Sequence, residues 1–554
     1  MERITMKDIT GKLLLTAIVL LLAPAISFAA SCPDPVNNAG YVRQAATGTG
    51  SGADWTNAFT DLPSSLVRGC TYWVGVGTYA PHVFNDAVSG TTLITVKAPT
   101  ASAHGTNTGW SNTYVGQAVW QCTSSPCTIW NFQTGNYYVM DGSYSTPLPG
   151  YTQLSTSGYG FKLYANGMGG NGNSGNDCVA CGEILGSNRN QAGFPKYVHD
   201  LTFKYIEIYG NYQTAAAGLA DAGYSDDGGD YNLYFGHMYI HGTTWQFFLR
   251  GNTQNSTGFG TGNDITIEYC YLYWDYTAPQ SIGPHGTSCS CSQGLTNFTW
   301  RYNIIRDITG TSAGPDTASG GDYNTGNGNN GPWYIYGNIW WASDTSNCFV
   351  GDGMIAIYDT SFTSGWGGGN GGNIYYYDNT MAQYGYGFCN STDNAGFGLG
   401  ITYTTPLRGF YEQNNLWYMA DETQIGPSDI PNNGQTSDSG ATFNPPVVHG
   451  YDAYYYSPND SNADTDANKQ ANSNSNPFTN ISTGNFMLVA DTSPGASLTN
   501  IGTYWNGTAE VANTFNVDMN GVTRGTNGVW DRGALQISSS GAPSPPTNVT
   551  ATPH

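Results

Sequence analysis

Between residues 201 and 419 the apolar positions recur with two periods at once. Within short segments they alternate, and the segments themselves return every 32 to 41 residues. Seven of them align without gaps, starting at Leu201, Leu233, Ile265, Phe298, Trp333, Ile374 and Phe410. The third column continues Phe203, Phe235, Ile267, Trp300, Ile335 and Tyr376, and breaks only at Glu412. Alternation with period two predicts a strand with one buried face. The eighth column is apolar again, from Ile208 to Trp417, so a second short strand follows a bend. At that bend the sixth column reads Ile206, Met238, Cys270, then Asn303, Asn338, Asn379 and Asn415. Four asparagines in one column predict a ladder of stacked amides, each satisfying buried polar groups of the next coil. One strand, a bend and a second strand per turn, stacked in parallel, build an all-β right-handed parallel β-helix, a solenoid. The Gly-rich inserts 214–230, 276–296, 311–331 and 343–371 then leave from one side as long loops. A β-propeller would need about four strands per repeat and a blade motif, which the columns do not supply.

Composition narrows the class. Charged residues make up 10% of the 554 and aromatics 14%, with 40 Tyr and 74 Gly. That excludes a disordered chain, which is charge-rich and aromatic-poor, and a helical bundle. The net charge of −22 argues against nucleic acid or an anionic membrane surface as partner. The same field opposes an acidic polymer unless a basic patch or bound cations offset it. Lys7 and Lys12, the apolar run 13–27 and the small residues up to Ala30 read as a secretory signal peptide. The run is too short for a comfortable membrane span. Cys32 follows at once, but Ala29 stands where a lipoprotein signal expects a branched aliphatic residue.

Export makes disulfides the default for the eleven cysteines. Cys122–Cys127 and Cys178–Cys181 are local pairs, and Cys32–Cys70 ties the N-terminal cap. Cys348 and Cys389 each lie 15 residues after the start of their segment, hence in phase on adjacent coils, which predicts a Cys348–Cys389 bridge. Cys289–Cys291 is a strained local pair, and Cys270, in the inward sixth column, is left as a buried thiol. The competing account pairs Cys270 with Cys289 or Cys291. A metal alternative, Cys178-x-x-Cys181 with Cys289-x-Cys291, matches only half a zinc site.

The ends carry a resemblance. YVRQAATGTGSGADWTNAFTDLP at 41–63, RGCTYWVGVGTY at 68–79 and SGTTLITVKAPT at 89–100 resemble the opening coils of secreted bacterial right-handed parallel β-helix proteins, the pectate-lyase-like superfamily. NPFTNISTGNFMLVADTSPG at 476–495 and DMNGVTRGTNGVWDRGALQ at 518–536 resemble its closing segment. The division expected is a signal peptide at 1–30, an N-terminal cap and first coils at 31–135 and the central β-helix at 136–425. The last coils and closing segment follow at 426–538, and a Pro/Ser-rich tail at 539–554. The resemblance is specific for fold and not for activity, since this fold hosts lyases, hydrolases, epimerases and adhesins.

Candidate chemistry lies in the outward columns. Tyr234, Tyr334, Tyr336, Tyr375, Tyr377 and Tyr411 offer aromatic faces on which sugar rings stack. The plainer account is that Tyr is simply a good strand former. Lys204, Glu268 and Arg301 share the fourth column, with His241 nearby and His285 on an insert. β-Elimination of a uronate needs a base for the C5 proton and a cation to neutralise the carboxylate. The resemblance implies Lys, Arg or His as base, often with Ca²⁺ on carboxylates, for which Asp226, Asp227 and Asp230 are the expected ligands. Glu268 and Arg301 equally suit a surface ion pair, and the DDGGD run a polar turn. The expected function is a secreted carbohydrate-active protein that cleaves an extracellular polysaccharide, a lyase favoured over a hydrolase. The alternative is a non-catalytic adhesive or carbohydrate-binding β-helix.

Overall fold

The computed structural model describes residues 31–122, most strands and bends between 128 and 464, and 466–537. Two twelve-stranded sheets and one nine-stranded sheet run along the chain, with parallel pairing within each. The first sheet holds the seven segments of the repeat among its twelve strands, and the second holds the short strands after the bend. Gly262–Glu268 and Leu295–Arg301 pair in parallel, with Ile265 opposite Phe298 and Glu268 opposite Arg301. The molecule is a right-handed parallel β-helix.

The third sheet corrects the reading of the inserts as loops. Ala222–Asp227, Thr287–Ser292, Ser312–Asp316 and Ile355–Asp359 lie inside those inserts and pair coil to coil. A closed coil needs a third wall, and Tyr224, Phe247, Leu249 and Cys289 carry the core on that side. Their Gly- and Ser-rich neighbours hide the alternation. The core they complete is rich in indoles: Trp120, Trp130, Trp300, Trp333 and Trp340 are fully buried.

From Tyr205 onward, each bend from the first sheet to the second turns on one left-handed residue. Tyr205, His237, Tyr269, Tyr302, Gly337, Asp378, Asn414 and Tyr451 all have φ between 53° and 66°. That conformation is unfavourable for a residue with a Cβ. Ring stacking along the column offsets it: Tyr205 on His237 at 4.5 Å and His237 on Tyr269 at 4.9 Å. A second left-handed column, Asp200, Asn232, Asp264 and Asn297, opens the first-sheet strands. Here short polar side chains bond along the stack, Asn232 to Asp200 at 2.9 Å and Asn297 to Asp264 at 2.6 Å.

The residue after the first bend points inward, and from Asn303 onward it forms the ladder. Asn303, Asn338, Asn379 and Asn415 are wholly buried. Each side-chain oxygen accepts the backbone N–H of the coil before it, from Cys270 through Asn379. The ladder runs one step further than the column of asparagines. Asn415 N–H donates to Asp452 Oδ1 at 2.8 Å, so the series ends in a carboxylate that accepts and has no amide to donate.

Cys32 and Cys70 are bridged across 38 residues, which restricts the unfolded N-terminus. Cys270 is free and buried, against the account that pairs it, and burial raises its thiol pKa. Cys122 and Cys289 are also disulfide-bonded. Cys348 and Cys389 lie outside the described residues. Among the described residues no helix is long and apolar enough to cross a membrane.

Candidate functional site

The outward face of the first sheet was the expected groove, and it is covered. The closing segment folds back along it. Thr202 Oγ1 donates to the Gly507 carbonyl at 3.0 Å, and Gly507, at φ 88°, lies against the Tyr234 ring where a Cβ would stand 3.1 Å away. Tyr504 packs on the Arg301 guanidinium, 3.7 Å from its carbon to the ring centroid. Phe515 meets Tyr336 at 4.7 Å and Tyr377 at 5.3 Å. Arg301 and Glu268 are therefore 4% and 6% exposed, not a surface ion pair and not an open acid–base set. Arg301 Nε donates to Glu268 Oε2 at 2.6 Å and Nη1 to the Tyr336 hydroxyl at 2.8 Å. Burial works against its charge, and Glu268 more than offsets it, so the guanidinium stays charged. Tyr234 donates its hydroxyl to Glu268. Lys204 is half-buried, its ammonium 5.0 Å from the centre of the Tyr234 ring.

The aromatic patch is divided by the same segment. Tyr234, Tyr334, Tyr336 and Tyr377 are buried, which corrects their reading as a sugar-facing row. Tyr375 and Tyr411 remain half-buried and stack at 4.9 Å. Asp226 and Asp227 end the strand Ala222–Asp227, and their side chains are outside the described residues, as is His285. Asp230 is 3% exposed, and its Oδ1 accepts the Val198 N–H one coil away, a bend contact rather than an open calcium loop.

His237, at the bend above Glu268, is held neutral. Burial pulls its pKa down to about 4, against the upward pull of Glu268 and Asp141 and with a further downward push from Lys204. Between its folded value and the unfolded value near 6.5, the unfolded chain binds a proton that the folded chain refuses. Stability is therefore expected to fall as pH drops through that window, by about 2 kcal/mol once partial exposure is discounted. His237→Asn accepts the left-handed backbone and removes the titrating group. Urea midpoints at about pH 7 and pH 4.5 should differ less in this variant, and an unchanged difference would contradict the assignment.

A different face gathers His241 with groups the outward columns of the first sheet did not contain. On the second sheet, His241 Nε2 lies 3.2 Å from Glu207 Oε1. Lys162 Nζ donates to the same oxygen at 2.6 Å, and Gln117 to Oε2 at 2.9 Å. Burial raises the Glu207 pKa, but the hydrogen bonds from His241 and Lys162 prevail and hold it below the usual carboxylate value. The register explains the grouping: Glu207 pairs with Lys162 on one side and Tyr239 on the other, and Tyr209 with His241. Rings stack along this face, Tyr164 on Tyr209 at 5.3 Å, Tyr209 on His241 at 4.4 Å and His241 on Tyr239 at 4.1 Å. Arg306 continues it, 4.6 Å over Tyr273 and bonded to the Tyr271 hydroxyl at 3.1 Å. Lys162, Tyr164, Tyr209, Tyr273 and Arg306 are half-buried. The closing segment reaches this sheet further along, through Phe486 on Trp341 and Phe478 on Tyr418.

A third polar group sits at the C-terminal end of the core. Glu412 and His449 are paired in register at the inward third column, where the preceding coils carry Ile335 and Tyr376. With Asp452 they place one possible ligand atom each within 4.8 Å of one another. Burial lowers the His449 pKa, but the neighbouring carboxylates of Asp464 and Glu412 raise it to about 11. Burial and the neighbouring Glu412 raise that of Asp452.

No family model matches the chain, and no curated protein does. Among solved structures, the crystal structure of pectate lyase Pel9A is similar, with a TM-score of 0.38 and 12% identity over 92% of this chain and 100% of that one. A likeness of that size says nothing of activity, and the β-helix stands on the strand pairing itself.

Proposed function

We propose that the protein is an exported polysaccharide-active β-helix protein whose working face is the tyrosine-lined stretch of the second sheet around His241. The observation that carries this is the convergence of an imidazole, a carboxylate and an ammonium among stacked rings, His241 and Glu207 being 8% and 6% exposed beside the half-buried Lys162 and Tyr209. Glu207 orients the His241 ring, and the half-buried tyrosines offer stacking faces to pyranose rings. The reaction that suits these groups is β-elimination on a uronate. His241 takes the C5 proton, the electron pair forms the C4–C5 double bond, and the C4–oxygen bond breaks. The leaving oxygen recovers a proton from the imidazolium or from solvent. Lys162 and Arg306 supply the positive charge that the substrate carboxylate needs on a chain of net −22. The signal-like residues 1–30 and the Cys32–Cys70 bridge support export.

A panel of uronate polymers, with and without calcium, tests the reading through the absorbance of unsaturated ends. Activity on one polymer, reduced at least roughly a hundredfold in His241→Ala, is expected. A non-catalytic binding role is the second reading, favoured by the burial of Glu268, Arg301 and four of the tyrosines on the first sheet. Polymer binding without unsaturated product would select it.

A further inference from the structure

We propose that Glu412, His449 and Asp452 bind a divalent cation that plugs the C-terminal end of the β-helix core. The cluster lies where the repeat calls for apolar residues and an asparagine. Glu412 and Asp452 are fully buried, and the His449 side chain is 2% exposed. The orientation of the donors is fixed by their surroundings. Asp452 Oδ1 accepts from the Asn415 backbone at 2.8 Å, and Oδ2 from Trp417 Nε1 at 3.1 Å. Glu412 Oε1 accepts from Asn415 Nδ2 at 3.3 Å, and Oε2 lies 3.1 Å from His449 Nδ1.

Two further observations point to a missing cation. Nearby basic side chains spend their N–H groups elsewhere: Arg532 donates to the backbone carbonyl of Asp452, and Lys469 to those of Ser461 and Asp464. Glu412 and Asp464 thus share one imidazole as their ion-pair partner, and Asp452 makes no ion pair, among the described residues. In addition, His449 Nε2 is buried and makes no aligned hydrogen bond, although Asp464 Oδ1 is 3.1 Å away. A metal on Nδ1 would fix the tautomer and leave Nε2–H for Asp464, the carboxylate–imidazole–metal arrangement that positions ligands in metalloproteins. Tyr454 holds the other Asp464 oxygen at 3.0 Å. One imidazole with two carboxylates suits Zn²⁺ or Mn²⁺ better than Ca²⁺, which takes oxygen ligands alone.

The test is the metal content of the purified full chain, followed by thermal melting after chelation and after return of Zn²⁺ or Mn²⁺ alone. About one equivalent is expected per chain, with a melting temperature that falls on chelation and recovers on addition. Glu412→Gln with Asp452→Asn keeps size and should lose the metal. Asp464→Asn should retain it with affinity weakened roughly 10–100-fold. A chain that carries no metal, takes up neither ion on titration and melts identically with and without chelator overturns the proposal, whatever the variants do.

Discussion

Replacing Arg301 with Met is expected to destabilise the protein by about 3–5 kcal/mol, the cost of removing one partner from a buried ion pair. The guanidinium is bonded to Glu268 and Tyr336, to Thr514 Oγ1 at 3.2 Å, and stacked under Tyr504. It joins three successive coils of the first sheet to the closing segment. Its loss leaves the Glu268 carboxylate buried, with Tyr234 as its remaining hydrogen-bond donor of that set. Changing Glu268 to Leu in the same chain removes the orphaned charge and should recover a large part of the loss. Denaturant midpoints of the two variants provide the check, with limited proteolysis of residues beyond 495 as a second readout. A midpoint unchanged in Arg301→Met would mean that the closing segment does not lie on this face.

Asn338→Leu is the second large effect, expected near 3–5 kcal/mol. Asn338 Oδ1 accepts from the Asn303 backbone at 2.9 Å and side chain at 3.2 Å, and Nδ2 donates to Trp300 O at 2.9 Å and Asn379 Oδ1 at 3.0 Å. Leucine fills a similar space and offers none of these. Two backbone groups of the preceding coil are left unpaired in a dry core, each costing about 1–3 kcal/mol. Because repeats are coupled to their neighbours, the loss should also broaden the unfolding transition. An unchanged denaturation midpoint would count against the ladder.

The fold was legible because parallel stacking demands that equivalent residues recur in phase. Leu201, Leu233 and Ile265 fall in one column for the same physical reason that they pair in register. The Asn column was legible for that reason too. Its end at Asp452 was not, although Val447 follows Phe410 by 37 residues, within the range of the repeat, because His449 and Asp452 stand where the third and sixth columns are recognised by an apolar residue and an asparagine. Outwardness in a strand, however, means exposure only where nothing docks. Lys204, Glu268 and Arg301 share a column, but the segment that covers Glu268 and Arg301 lies about two hundred residues on and shares no period with them. Nothing in their spacing could announce Tyr504 or Phe515. Glu207 was within reach: it stands two residues before Tyr209, which pairs with His241, in an outward column that continues with Tyr239, Tyr271 and Ile304. A carboxylate beside an imidazole on neighbouring coils was the available signal. Glu412 signalled itself as the break in the third column, but its partner His449 lay beyond the last aligned repeat.

Affinity electrophoresis in gels containing a uronate polymer compares the two faces in one experiment, without requiring catalysis. The native chain should be retarded by a polymer of the panel. Tyr209→Ala and His241→Ala should lose most of that retardation, while Tyr234→Phe, buried on the covered first sheet, should keep it. Retardation abolished by Tyr234→Phe and untouched by the two second-sheet variants, or absent with every polymer, would contradict the assignment of the second sheet as the working face.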